Sequence, residues 1–389
     1  MRDVFLYDAV RTPRGKAREG GGLATLSPQE LAAQTKSALD ERCGETPPDA
    51  LLLGCVGQFG AQGGNIALVS KLHMGLPHTA SAMTLNNLCA SGLYAIGFAA
   101  ASVQSGVWDC ALAGGVEMMS RAPFMGDKAS YYTDASFPPR TRYVPVALTA
   151  DRLAAAEGID RAALDAVALT SQQNAARAEG NPAFQKSRIA VRSLDGSIAL
   201  DHDECMRPQT TPETLRTLPP AFKALAADYS DALGGQKFPP LHTISHAPPI
   251  CDGAGLALVG EKRSAVRPRA RIVAFADTGG DSFESLTAGF AAMEKVLSRA
   301  GLALRDIARI EFMESFGVTI AKFLRDFPAD PARVNVSGGH LAKGHPLGAS
   351  GAILVSTLLD CLDEADEQFG MVVITGASGV GAAMILERC

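Results

Sequence analysis

Residues Thr84–Asp109, TLNNLCASGLYAIGFAAASVQSGVWD, decide how the chain is read. The turn-forming pair Asn86-Asn87 leads into Cys89, and small residues follow it. An apolar run of helical length then ends at Ser105-Gly106. The pattern predicts a buried helix with a cysteine at its N-terminal end. Unpaired backbone N–H groups and the positive end of the helix dipole favour a thiolate there.

Charge is scarce around this stretch. Between Asp49 and Asp109 only Lys71 is charged. Length alone permits a membrane span, but the Gly-rich segment 54–64, Pro77 and many Ser, Gln and Asn residues break any continuous apolar helix. Burial in a large soluble core, with a subunit interface, is the expectation. The chain has 389 residues, 47% hydrophobic and 20% charged, which suits two or three domains of ordinary globular composition. A net charge of −5 and a pI near 5.8 give no electrostatic reason to expect nucleic acid or a membrane as partner. The opening MRDVFLYDAVRTPRGKA lacks an apolar targeting segment and reads as a first strand, which points to the cytoplasm. The eight cysteines (43, 55, 89, 110, 205, 251, 361, 389) form no CxxC pair and have no histidines at zinc spacing. Reduced thiols and no metal follow from that.

In chain order, Val4–Ala9 reads as a strand, and Ser27 caps a helix over Gln29–Arg42 with Pro28 at its first position. Leu51–Val56 is a strand, Ile66–Met74 a helix, and Cys110–Gly114 a strand running into GGVEMMSRAP. Residues 119–248 carry more charge, Pro and Tyr, with helices at Ala150–Glu157 and Arg161–Gly180 and long loops at 124–147 and 181–222. They read as an excursion from a core that resumes at Ala254–Val259. The second half has strands at Ile272–Asp277, Ile307–Phe312, Met371–Thr375 and Ala382–Glu387, and a helix at Phe290–Ala300 stopped by Gly301. GGHLAKGHPLGASGA leads into another helix through Leu362. The halves echo each other: CASGLYAI…CALAGGVE is matched by GHPLGASGAILV…VVITGASGVG. Two copies of one α/β unit are expected to face each other, with both helix N-termini at a shared site.

Three motifs need weighing. TGASGVG at Thr375–Gly381 superficially matches a dinucleotide fingerprint, but it is one residue short, and too little chain follows for the rest of that unit. Glycines that let backbone N–H groups reach a substrate oxygen are the better reading. A cysteine in an apolar run is ordinarily a small buried hydrophobe, and Cys55, Cys110, Cys251 and Cys361 are read so. Cys89 differs because it sits at a loop-to-helix junction beside Ser91 and Gly92. His345, in the equivalent loop of the second half, stands where a base could meet Cys89.

With these residues in hand the chain resembles the thiolase family over nearly its whole length. NNLCASGLYAI with AGGVEMMS resembles the nucleophile segment, DECMRPQTTPETLRTLPPAF the CoA-binding loop domain, and ICDGAG the return to the core. AMEKVLSRAGLALRDIARIE resembles the second-half helix and strand, and GGHLAKGHPLGASGA is the most specific match. The resemblance implies a duplicated five-layer α/β/α/β/α core with an inserted loop domain. It implies halves at 1–118 plus 249–268 and 269–389, with the loop domain at 119–248. It also implies acyl-CoA and CoA as substrates, no further cofactor, and a homodimer or homotetramer.

Carried over residue by residue, Cys89 takes the acyl group, and His345 lowers its pKa and helps hold the thioester oxygen. The N–H groups of Cys89 and Gly379 form the other oxyanion hole. Arg207, Thr210 and Phe222 lie near CoA, Phe316 lines the pantetheine channel, and Met313 is a further substrate-binding candidate. Three positions depart from the family. Its Asn-Glu-Ala-Phe box reads Met313-Glu314-Ser315-Phe316, its second cysteine falls on Thr375, and a serine near the pantetheine falls on Pro248. Acylation of Cys89 is therefore fully equipped, whereas the carbon–carbon step lacks its usual base, for which His340, Thr375 and Ser315 are candidate substitutes. The expected function is a thiolase-type acyltransferase that cleaves or forms 3-oxoacyl-CoA. The alternatives are transfer from acyl-Cys89 to water or a heteroatom nucleophile, and CoA-ester binding without turnover.

Overall fold

A computed structural model describes residues 2–134, 136–138, 141–262 and 266–389. The first half comprises β1 (Phe5–Arg11), β2 (Gly15–Lys16), α1 (Pro28–Cys43), β3 (Ala50–Gly54), α2 (Ile66–His73), β4 (Ser81–Leu85), α3 (Ser91–Gln104) and β5 (Cys110–Met118). The chain then leaves the sheet through α4 (Ser130–Thr133), α5 (Val146–Glu157), α6 (Arg161–Glu179), β6 (Val191–Arg192), β7 (Ile198–Leu200), α7 (Pro212–Thr217) and α8 (Lys223–Asp228). It returns on β8 (Cys251–Gly260). The second half comprises β9 (Ala270–Gly279), α9 (Ala288–Ala300), β10 (Arg309–Phe312), α10 (Gly317–Asp326), α11 (His340–Lys343), α12 (Ser350–Ala365), β11 (Phe369–Thr375) and β12 (Val380–Arg388).

Local chemistry sets many of these boundaries. The Ser27 hydroxyl accepts the Glu30 N–H at 3.3 Å and Pro28 opens α1, so the helix starts where its cap dictates. Gly301, at φ 67°, stops α9. Among the described residues ten strands form one sheet in the order β10-β11-β12-β9-β1-β8-β5-β3-β4, with β2 beside β8. Its two halves join where β1 meets β9 at Phe5↔Arg271 and Leu6↔Ala270. The joined sheet folds around α3 and α12, which pack on each other and on strands of both halves. Helices α1 and α2 cover the outer face of the first half, and α9 covers that of the second. The order is helix, sheet, helix, sheet, helix: the expected five layers, in a mixed α/β fold.

The central layer explains the low charge of the focal stretch. Ser91–Gly97 of α3 and Ser350–Leu362 of α12 are buried on all sides, and small and aliphatic residues dominate there; the one acid, Asp360, is bonded to Ser187 and Arg269. Elements additional to those expected from sequence include β2, α8, α11, β4 and α10. β4 is a five-residue, partly exposed edge strand whose SAMTL carries little alternation. Helix α10 begins with Gly317 and a β-branched pair, weak helix formers, and gains its order by packing on α6 and α5. The loops expected at 124–147 and 181–222 contain α4, the β6–β7 hairpin and α7. Helix α5 starts at Val146, four residues before the expected Ala150.

Helices α3 and α12 approach at glycines. A Cβ on Gly351 would lie 2.3 Å from the Leu93 backbone nitrogen, which cannot move without shifting α3. Gly351→Ala is expected to lower unfolding free energy by about 1–3 kcal/mol, read from urea denaturation. Gly180→Ala, whose Cβ would meet only the Arg177 carbonyl at 3.7 Å, should unfold like the parent protein.

Candidate active site

Cys89 is presented by a strained turn between β4 and α3. Leu88 sits at φ 48°, and the Asn86 side chain accepts the Leu88 N–H at 3.0 Å. The Ser91 hydroxyl accepts the Asn87 N–H at 2.8 Å and donates to the Leu88 carbonyl at 2.6 Å. These bonds fix the loop and leave Cys89 just ahead of Ala90, the N-cap of α3.

His345 is held just as firmly. Its N–H donates to the Pro249 carbonyl at 2.8 Å, tying the loop before α12 to the segment that enters β8. Gly344, at φ 101°, precedes it where a Cβ would strike the Cys251 sulfur at 2.8 Å. The ring then spans the two halves: Nε2 lies 3.2 Å from the Cys89 sulfur, and Nδ1 lies 2.6 Å from the hydroxyl of Ser350, the first residue of α12. For Nε2 to accept from the thiol, Nδ1 must carry its proton and donate to Ser350.

Beneath this pair lies Glu117, fully buried on β5. Its carboxylate accepts the N–H groups of Val56 at 2.8 Å and Gly57 at 3.0 Å from one half and of Gly348 at 3.0 Å from the other. The Gln62 amide adds a fourth bond at 2.8 Å. Burial raises the carboxyl pKa, and the backbone donors oppose that rise.

Burial and backbone hydrogen bonds act on Cys89 in opposite directions. Burial pushes the Cys89 thiol up to about 11, outweighing the Ala377 N–H and Cys89's own N–H, which favour the thiolate. Burial, reinforced by Arg14, brings His345 down to about 3. The resting pair is therefore a neutral thiol beside a neutral imidazole. Burial of Cys89 opposes the stabilisation of a thiolate by the backbone N–H groups at the helix end.

A cavity of about 320 Å³ opens onto this pair, with Tyr143, Phe222, Ser315, Phe316 and Ala377 among its walls. Phe222 and Phe316 stand edge to face with centroids 5.8 Å apart, so two residues assigned to CoA do share the cavity. Arg207 and Thr210 line a separate hollow of about 180 Å³ beyond the segment Ile244–Pro249. The Arg207 guanidinium has no carboxylate partner among the described residues, and the Thr210 hydroxyl donates to the Arg207 carbonyl at 2.7 Å.

Other sequence-derived candidates lie elsewhere. On β11, Val372 and Ile374 face the central layer while Met371 and Val373 face α9, and strand parity puts Thr375 with the latter. A Cβ on Gly289 of α9 would meet the Thr375 Cβ at 2.7 Å. The Thr375 hydroxyl is buried without a partner and is not on the cavity wall. Ser315 reaches the cavity, but its hydroxyl donates to the Thr375 carbonyl. His340 lies behind His345, ring centroids 5.1 Å apart, off the cavity wall; burial holds it far below the ordinary histidine range. Met313 fills the central core and is off the cavity wall. Gly379 lies off the wall with its carbonyl bound by the Gly280 N–H at 2.8 Å, while Ala377, earlier in the same turn, directs its N–H at the Cys89 sulfur. Ser350, Glu117, Tyr143 and Ala377 are additional to the sequence-derived set. A lone acid inside GGVEMM was the one signal that could have revealed Glu117.

Comparison with known proteins agrees with this geometry. The model of the thiolase N-terminal domain matches residues 4–232, and that of the thiolase C-terminal domain matches residues 266–388. The chain is 33% identical to a 3-ketoacyl-CoA thiolase of Bacillus subtilis, with all of both chains covered. It is 35% identical to the 3-oxoadipyl-CoA/3-oxo-5,6-dehydrosuberyl-CoA thiolase of Escherichia coli, again over the full length of both. Human mitochondrial 3-ketoacyl-CoA thiolase superposes with a TM-score of 0.86 at 28% identity, covering 100% of this chain and 99% of that one. The chain belongs to the thiolase family. Its activity is that of a thiolase-type acyltransferase on acyl-CoA.

The neutral resting pair has a measurable consequence. Because burial raises the Cys89 pKa, its thiolate fraction is small near neutrality and grows with hydroxide until about pH 11. Alkylation of Cys89 by iodoacetamide, followed by peptide mass spectrometry, should accelerate continuously from pH 6 to 9. A rate flat across that interval would instead reveal a standing thiolate–imidazolium pair.

Proposed function

We propose that the chain cleaves 3-oxoacyl-CoA with CoA through an acyl-Cys89 intermediate, using His345 as its single proton carrier. The Cys89–His345 contact of 3.2 Å at the cavity carries this reading. The sulfur attacks the 3-oxo carbon as its proton passes to Nε2. The bond between C2 and C3 then breaks, its electron pair going to C2 as the enolate of acetyl-CoA. The imidazolium returns the proton to C2, and acetyl-CoA leaves. CoA thiol attacks acyl-Cys89, gives its proton to the same nitrogen, and Cys89 recovers it on departure. A histidine whose pKa lies well below neutrality is a strong acid once protonated, which suits protonation of an enolate carbon. By microscopic reversibility the same groups serve condensation.

The oxyanion donors in this reading are the N–H of Cys89 and the turn Gly376–Gly379, where the Ala377 N–H already faces the sulfur and Gly379 lies two residues on. Residues 119–248 serve as the CoA-binding loop domain. Arg207 takes the charged end of CoA, and Phe222 and Phe316 flank the pantetheine arm. Among the described residues no lysine or arginine lines the Cys89 cavity, which supports an uncharged acyl chain. Edge strand β4, with exposed Leu68, Leu72 and Met83 around it, supports a homodimer as the basic assembly. All eight cysteines are free thiols, which supports the cytoplasm. No helix among the described residues is long and apolar enough to cross a membrane.

With acetoacetyl-CoA or a longer 3-oxoacyl-CoA and no CoA, intact-mass spectrometry should show one acyl adduct on Cys89, discharged when CoA is added. Cys89→Ala should form none, and His345→Ala should slow thiolysis by about 10²–10⁴-fold. Turnover by Cys89→Ala above background would sink the proposal.

A further inference from the structure

Tyr143 lies on the wall of the same cavity as Cys89 and His345, and the reaction scheme above does not use it. Its ring is fixed by edge-to-face packing, with centroids 5.1 Å from Tyr132, 5.7 Å from Tyr131, 6.3 Å from Phe124 and 6.4 Å from Tyr229. That cage leaves the phenol little freedom to turn away. The residue is 3% exposed, yet its hydroxyl makes no hydrogen bond among the described residues. The hydroxyl is not among the polar atoms sealed off without a partner, so it is open to the cavity that its residue lines. The protein keeps a free donor in an otherwise apolar wall.

The other polar side chains on that wall are engaged. Ser315 donates to the Thr375 carbonyl, Tyr229 donates to the Tyr132 carbonyl at 3.4 Å, and His345 is held between Cys89 and Ser350. Burial, with the neighbouring tyrosines and Cys89, keeps the phenol protonated far above neutrality, so its O–H is available to donate. Carbon–carbon cleavage leaves negative charge on the thioester oxygen of the departing two-carbon enolate; the backbone N–H groups serve the 3-oxo oxygen and His345 must give its proton to C2, so that charge calls for a further donor.

We propose that Tyr143 is a catalytic residue of the cleavage step, donating its O–H to the enolate oxygen of acetyl-CoA as the bond between C2 and C3 breaks. The proton stays on Tyr143 throughout. The electron pair of the broken bond passes into the enolate, His345 protonates C2, and the phenol is unchanged at the end. The role belongs to the enolate, so it vanishes in reactions that form none. This inference rests on the acyl-Cys89 reading, and two substrates separate the two claims. A simple acyl-CoA acylates Cys89 by releasing CoA thiol, without an enolate. A 3-oxoacyl-CoA acylates it by releasing the enolate.

The test is Tyr143→Phe, which keeps the ring and its cage, compared with the parent protein in single-turnover acylation followed by intact-mass spectrometry. Acylation from octanoyl-CoA should stay within twofold of the parent. Acylation from 3-oxodecanoyl-CoA should fall about 10²-fold, with KM for CoA in thiolysis unchanged. Retention of the parent's cleavage rate would overturn the proposal, as would an equal loss with both substrates, which would mark Tyr143 as merely structural. Failure of the parent protein to acylate from either substrate would remove the acyl-Cys89 reading and this role with it.

Discussion

The carboxylate of Glu117 is the constraint on which the active geometry depends. A fully buried acid is expensive to ionise, and here three backbone N–H groups and one amide stabilise it. Two of those N–H groups belong to the β3–α2 loop and the third to the turn before α12. The acid therefore locks the loops of the two halves to each other. Cys89 comes from one half and His345 from the other, and their 3.2 Å contact exists only if the halves hold a single relative position. Glycines where α3 meets α12 let the helices approach closely enough for that lock to close.

The same burial that fixes the pair also keeps it neutral. A helix end typically stabilises an adjacent anion by a fraction to a couple of kcal/mol, and desolvation of a fully buried sulfur exceeds that. The thiol becomes a nucleophile only as Nε2 takes its proton during attack. Ser350 matters for the same reason. When its hydroxyl accepts from Nδ1–H, Nε2 is left free to accept. The pair is poised by hydrogen-bond geometry, not by stored charge.

The departures at Met313 and Thr375 have a coherent physical reading. Met313 adds an apolar side chain to the central layer, and Thr375 faces α9, so neither leaves a polar group beside the sulfur. Among the described residues the cavity has His345 as its one imidazole and Tyr143 as an uncommitted donor. In a low-dielectric wall each remaining donor acts strongly on a developing oxyanion, because little solvent competes for it.

What the sequence determined by itself is what short-range chemistry controls. Ser27 and Pro28 start α1, Gly301 ends α9, the small-residue runs of α3 and α12 mark a doubly covered layer, and two matched halves announce a shared site. The expected strands are present because their apolar runs admit no other burial, although β5 and β8 extend beyond the expected ends by pairing from Cys110↔Gly260 to Met118↔Asp252. Cys89 and His345 were legible because each sits in a distinctive loop. What only the tertiary structure decided depends on contacts distant in the chain: the edge strand β4, helix α10 held by α6, the face of β11 on which Thr375 falls, and Glu117's grip on both halves. Tyr143 joined the site in part for the same reason, since the rings of Phe124, Tyr131 and Tyr132 close around it from nearby in the chain and Tyr229 from far along it. Periodicity and caps are written into neighbouring residues, whereas desolvation and cross-half hydrogen bonds exist only once the whole chain has closed around them.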